Sequence, residues 1–205
     1  MTHQGKGRNG RQVWYKLIEG NVRFVQVLFQ GRNLLDLRST LALGQQPEAA
    51  VLCCSDSRVP AEIIFDQSLG DLFVVRTAGL VLEPTSIGSL EYAVAHLHVP
   101  LLVIKGHESC GAVTAAVTHP ETDEGHIGAI VQRIAPAAAQ ARLTGKSGPD
   151  LVEDATEQHL KSLEETLRRE SRIIVDALDR GSLDLVVAKY LLHSGKVETL
   201  ISIRW

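Results

Sequence analysis

Four short apolar runs, at 49–54, 72–75, 101–105 and 183–190, constrain this chain more than any other feature. Each is aliphatic, mostly β-branched and closed off by turn residues, which suits a buried strand better than a helix. Between them lie stretches with helical spacing, at 86–98, 109–117, 126–141 and 151–178. Strands that alternate with helices predict an α/β fold, a parallel β-sheet core flanked by helices on both faces. A last run, 197–203, follows a Ser194-Gly195-Lys196 turn and predicts an antiparallel edge strand. Ligands of such sheets bind at the carboxyl ends of the strands. Chemistry is therefore expected just after Cys53, after Val75 and after Lys105.

Ahead of the first strand, Val13, Trp14, Leu17, Ile18, Val22, Val25 and Leu28 recur at helical spacing across 12–30. They predict an N-terminal helical arm of one or two helices, whose apolar face needs a surface such as a second subunit. Residues 1–11 read as a flexible tail, too polar and glycine-rich for a secretory signal. No apolar run approaches the roughly 18–20 residues of a membrane span. Residues 12–205 then form a single domain, with 144–150 as a loop inside it. A net charge of −3 lacks the basic excess of a nucleic-acid binder. Three cysteines, an odd count, give no disulfide framework. A reducing, cytoplasmic setting is the expectation, with microcompartment association left open.

Two segments at predicted strand ends carry chemistry: Cys54-Ser55-Asp56-Ser57-Arg58-Val59-Pro60 and Gly106-His107-Glu108-Ser109-Cys110-Gly111. His107 and Cys110 at a strand-to-helix junction can aim at one point, but alone such a pair is more often incidental. Cys54, ending another strand at the same sheet edge, changes that. Thiolate and imidazole together suit Zn2+, and three protein ligands leave the fourth position open, as in catalytic zinc. Cys53 should point to the opposite face from Cys54 and reads as a small buried residue. Asp56 can take the open position or accept a hydrogen bond from a water there, with Arg58 pairing to hold it off. Without the metal ligands beside them, a purely structural ion pair would be the plainer reading of those two residues. Phosphate-loop, phosphatase and dinucleotide patterns all fail on spacing. The other histidines show no ligand spacing, and 153–170 reads as the solvated face of a helix.

CSDSRVPAE (54–62), GDLFVVRTAG (70–79), SLEYAV (89–94) and GHESCGAV (106–113), in this order and spacing, resemble the β-class carbonic anhydrase family. Weaker similarity runs from about Gly20 to Leu200. The resemblance implies zinc-dependent reversible hydration of CO2 to bicarbonate and a proton by hydroxide generated at the metal. It implies one Zn2+ per chain on Cys54, His107 and Cys110, and an Asp–Arg dyad at Asp56 and Arg58. It also allows Asp56 as the fourth ligand of a closed state. A substrate pocket partly built by a neighbouring subunit would include Gln45, Phe73, Tyr92 and the Gly111 amide. The expected assembly is a homodimer or tetramer formed through the N-terminal arm.

Two positions depart from the family pattern. Leu80 stands where Asn or His usually follows R-x-A-G. Val51-Leu52-Cys53-Cys54 replaces the W-x-G-C of members with an inhibitory bicarbonate pocket, so that pocket is expected to be absent and the open form favoured. Rival readings are a carbon disulfide hydrolase on the same scaffold, a non-catalytic zinc domain, and a metal-free thiol hydrolase using Cys54 and His107. Retention of Asp56, Arg58 and Gln45 argues against the structural-zinc reading.

Overall fold

The computed structural model describes residues 9–31, 34–121 and 125–203, so the expected tail lies outside it up to residue 8. The elements run α1 (Gly10–Val25), α2 (Leu34–Leu41), β1 (Ala49–Cys54), α3 (Ala61–Ile64), β2 (Leu72–Thr77), α4 (Pro84–Ala95) and β3 (Leu101–His107). There follow α5 (Gly111–Thr118), α6 (Ile127–Arg142), α7 (Gly148–Glu170), α8 (Arg172–Arg180), β4 (Asp184–Tyr190) and β5 (Val197–Ile203). The five strands form one sheet in the order β2-β1-β3-β4-β5. The first four are parallel, and β5 pairs antiparallel with β4, as expected.

Both sheet faces are buried, which explains why β1 and β3 read as unbroken apolar runs rather than alternating ones. Ala50, Leu52, Cys54, Leu102, Ile104, Leu185 and Val187 pack on one face with residues of α4 to α8. Ala49, Val51, Cys53, Leu101, Val103, Val186 and Ala188 pack on the other with Val13, Trp14 and Leu17 of α1 and Ala61 and Phe65 at α3. The first half of the arm thus covers its own sheet. Its far part leaves Val22, Val25, Val27, Leu28 and Phe29 exposed. Gly20 permits the close approach: a β-carbon there would stand 1.8 Å from the Phe65 carbonyl oxygen.

Three expected boundaries shift for local reasons. Asn9 caps α1 by accepting from the Gln12 amide, so the helix starts inside the expected tail and ends as one helix at Val25. The single helix expected over 151–178 is two, because Ser171 takes extended angles and caps α8 through its hydroxyl. The loop expected over 144–150 is shorter, since α7 begins at Gly148 with a proline in its first turn. Two short helices, α2 and α3, were not read from the sequence. No helix among the described residues is long and apolar enough to cross a membrane.

Candidate metal centre

The chain reverses its winding at β1, which has β2 on one side and β3 on the other. The crevice of such a sheet opens there, at the strands' carboxyl ends. Cys54 ends β1, His107 ends the neighbouring β3, and Cys110 caps the start of α5. Their ligand atoms lie within 4.8 Å of one another, and all three residues are buried. The tight turn between His107 and Cys110 puts Ser109 at φ 49°, which a non-glycine residue adopts only when held. Its amide donates to Glu153 at 2.8 Å and the Glu108 amide donates to the Tyr190 carbonyl at 3.0 Å.

His107 supplies the test of whether these residues fit a metal. Its Nδ1 lies 2.7 Å from the Glu108 carbonyl oxygen, an acceptor, so Nδ1 carries the proton. That leaves Nε2 with a bare lone pair, buried and without a hydrogen-bond partner among the described residues. A buried polar atom left unpaired costs about 1–3 kcal/mol unless something binds it. Two cysteine sulfurs beside it make a set that suits a borderline cation.

The two sulfurs stand 4.0 Å apart and their ionisation is linked. Cys54 is drawn toward the thiolate by a hydrogen bond from Cys110, opposed by burial, and the Asp56 amide, 3.5 Å away, also points at its sulfur. Cys110 is pushed up by the same Cys54 contact and by burial, against the Val113 and Ala112 amides at the start of α5. Cys53 is buried on the other sheet face, away from the pair, as expected.

Asp56 and Arg58 meet as a bidentate pair, with Nε 2.9 Å from Oδ1 and Nη2 2.7 Å from Oδ2. Asp56 Oδ2 lies 3.9 Å from His107 Nε2, just outside direct contact. Arg76 holds this loop from β2, donating to the carbonyls of Cys54 at 2.9 Å and Asp56 at 2.5 Å.

Gly111, in the first turn of α5, stands next to Cys110. The other three expected pocket residues lie elsewhere in this chain. Phe73 pairs with Ala50 at the start of the sheet, four residues and about 13 Å of strand from Cys54. Its ring lies 6.1 Å from that of Tyr92, which is 45% exposed. Gln45 is exposed in the segment before β1, at the opposite strand end from Cys54.

Several supporting residues escaped the sequence reading. Arg76 stands one residue beyond the expected strand run 72–75 and was given no role. Glu153 and Glu157 were assigned to a solvated face, yet the first holds Ser109 and the second pairs with the buried Lys189 at 2.6 Å. His159 had no ligand spacing, but its ring is buried beside the turn that follows β2. Leu80 takes φ 58°, a left-handed conformation that Asn and His adopt more readily than Leu. A cavity of about 440 Å³ between α6 and α7, lined also by Val81, Leu82 and His159, contains none of the three ligand residues.

The profile of the family described as Carbonic anhydrase matches residues 49–197. The chain is 43% identical over 188 residues to Carbonic anhydrase 2 of Mycobacterium tuberculosis, covering 90% of this chain and 89% of that one. It is 42% identical over 191 residues to the Carbonic anhydrase of Mycolicibacterium smegmatis, covering 91% of each. Among solved structures, the β-carbonic anhydrase CcaA superposes with a TM-score of 0.76 at 26% identity, covering 92% of this chain and 95% of that one. The β-carbonic anhydrase CafA of Aspergillus fumigatus gives 0.74 at 29% identity, covering 93% and 89%. Profile, relatives and fold agree, and the chain belongs to the β-class carbonic anhydrase family, whose reaction is the hydration of CO2 to bicarbonate.

Proposed function

We propose that Cys54, His107 and Cys110 hold one zinc ion per chain, and that Asp56 and Arg58 serve CO2 hydration beside it. The observation that carries this reading is the partnerless, buried Nε2 of His107 grouped with two cysteine sulfurs. Zinc bound there supplies Lewis acidity that makes water a nucleophile near neutral pH.

The chain's own groups do the rest. Arg58 holds the Asp56 carboxyl well below the usual carboxylate range, so it stays ionised and can only accept hydrogen bonds. Asp56 therefore takes the proton side of the nucleophilic water and leaves its lone pair turned toward CO2. Grip on both oxygens keeps Asp56 from taking the open coordination position, which it would reach in a closed state. The Gly111 amide, one of the free donors of a helix start, stabilises charge that develops on the substrate oxygens.

Gln45, Phe73 and Tyr92 sit at the amino end of the sheet, so they serve a site only when a second copy brings them to it. The exposed Val22, Val25, Leu28 and Phe29 of the arm offer such a copy an apolar contact. A homodimer or tetramer follows from this reading, with residues 12–205 as one catalytic domain and 12–30 as its arm.

Stopped-flow CO2 hydration on zinc-quantified protein near pH 8 tests the proposal. Fast hydration that is lost on chelation and restored by zinc supports it. Equal rates before and after complete removal of zinc would overturn it.

A further inference from the structure

Asp56 and Arg58 grip one another within a single short segment, so their pairing orients the carboxylate in that segment but does not place the segment in the fold. Something outside 54–59 has to set where the carboxylate stands, 3.9 Å from His107 Nε2. The segment is tied down through its carbonyls. From β3, Lys105 donates to the Val59 carbonyl at 3.1 Å. From β2, Arg76 donates through Nε to the Cys54 carbonyl at 2.9 Å and through Nη2 to the Asp56 carbonyl at 2.5 Å. Arg76 and Lys105 are both register partners of Cys53, so the two cations flank β1 in one row of the sheet.

Of the two, Arg76 acts on Asp56 itself. Among the described residues, it supplies the one hydrogen bond to the Asp56 backbone that comes from outside the segment. The Asp56 amide turns to the Cys54 sulfur, and its carbonyl otherwise meets only the Val59 amide, at 3.2 Å. A guanidinium is a rigid fork, so two of its donors on carbonyls two residues apart fix the Cys54 and Asp56 backbones relative to each other. The chemistry is sensitive to that spacing: a group displaced by about 1 Å can lose about 10²-fold in rate.

We propose that Arg76 is a positioning residue of the reaction: its guanidinium spans the Cys54 and Asp56 carbonyls and so places the Asp56 carboxylate beside the metal centre. This rests on the reading of Cys54 as a metal ligand and Asp56 as the hydrogen-bond acceptor of the reaction. Cys54 is also kept by the β1–β2 ladder, where it pairs with Thr77. Loss of Arg76 therefore frees Asp56 and leaves the ligand in place. Arg76→Lys keeps the charge but has no fork to span the two carbonyls.

The test is a double-mutant cycle of Arg76→Gln with Asp56→Asn, read by stopped-flow CO2 hydration, zinc affinity and amide hydrogen exchange. Arg76→Gln should lower kcat about tenfold or more in the native background. In the Asp56→Asn background it should cost less than about twofold further, because the group it positions is already gone. Zinc affinity should stay that of native protein. The Arg58 and Val59 amides, which rest on Asp56 Oδ1 at 2.9 Å and on its carbonyl at 3.2 Å, should exchange faster in metal-free and zinc-loaded protein alike. Arg76→Lys should show the same pattern, and it carries the test alone should Arg76→Gln fail to fold. Equal losses in both backgrounds would make Arg76 a merely structural residue and overturn the proposal. Full activity in either Arg76 variant, unchanged exchange, or loss of zinc in step with rate would overturn it too. A fully active Asp56→Asn single variant is seen without any change at Arg76, and it would remove the reading of Asp56 and the proposal with it.

Discussion

Arg58 grips Asp56 on both carboxylate oxygens, at 2.9 and 2.7 Å, and adds its own backbone amide at 2.9 Å to Oδ1. Three donors from a residue two positions away make the carboxylate a fixed acceptor at the mouth of the metal centre. Asp56→Asn offers a donor where the reaction needs an acceptor. It should keep its zinc and lose about 10²-fold or more in kcat. Metal content and stopped-flow rate measured on one sample check this, and a fully active variant would sink the role assigned to Asp56.

The same pair sets an acid limit on stability. The folded pKa of Asp56 is depressed, chiefly by the Arg58 side chain. Its contribution is therefore complete above the unfolded value of about 3.9 and fades as pH falls through the folded one. Between pH 5 and 8, replacing Arg58 with Gln should leave the pH dependence of stability unchanged. Below about pH 4 the native protein should lose stability more steeply than the variant, as denaturant titrations at several pH values would show.

Cysteine position should separate ligand from core. Cys54→Ala and Cys110→Ala should lose zinc and activity together, because each removes one of three donors. Cys53→Ala, on the α1 face, should keep both and give up only packing, about 1 kcal/mol. Zinc analysis of the purified variants distinguishes them.

Lys105, on the central strand β3, is fully buried, its Nζ 3.1 Å from the Val59 carbonyl and 5.6 Å over the Tyr190 ring. Burial pulls it down to about 8. The unfolded chain holds that proton up to about pH 10.4, so between those values unfolding takes up protons and stability rises with pH. That net shift amounts to roughly 3 kcal/mol against the charged form in the folded state at neutral pH, while removing the ammonium leaves the Val59 carbonyl without its donor. Lys105→Met should be more stable than native protein by about 1 kcal/mol at pH 7, an advantage that shrinks toward pH 10. Urea midpoints at both pH values test the sign.

Gly79→Ala should be costly for two separable reasons. The left-handed φ of 64° disfavours any β-carbon by about 1–2 kcal/mol. Contact with Ile134 and Ala112 adds about 1–3 kcal/mol of overpacking. Calorimetry should find the melting temperature lowered by roughly 5–15 °C.

Much of this was legible in the chain itself. The strands are apolar because both sheet faces are covered, so β1 and β3 announce themselves, and Cys54, His107 and Cys110 fall where parallel strands end. Residues that act through the backbone were not legible. Arg76, Glu153 and His159 hold carbonyls and amides of neighbouring loops, and such contacts depend on tertiary distance rather than sequence spacing. The arm shows the same limit. Its periodicity marks an apolar face, but only the fold shows that Trp14 and Leu17 cover their own sheet.

Zinc K-edge absorption on the native protein decides whether Cys54 and Cys110 hold the metal. Two sulfurs at about 2.3 Å are expected, with the remaining ligands nitrogen or oxygen at about 2.0–2.1 Å. A zinc shell with no sulfur, or with a single one, would rule the two-cysteine site out.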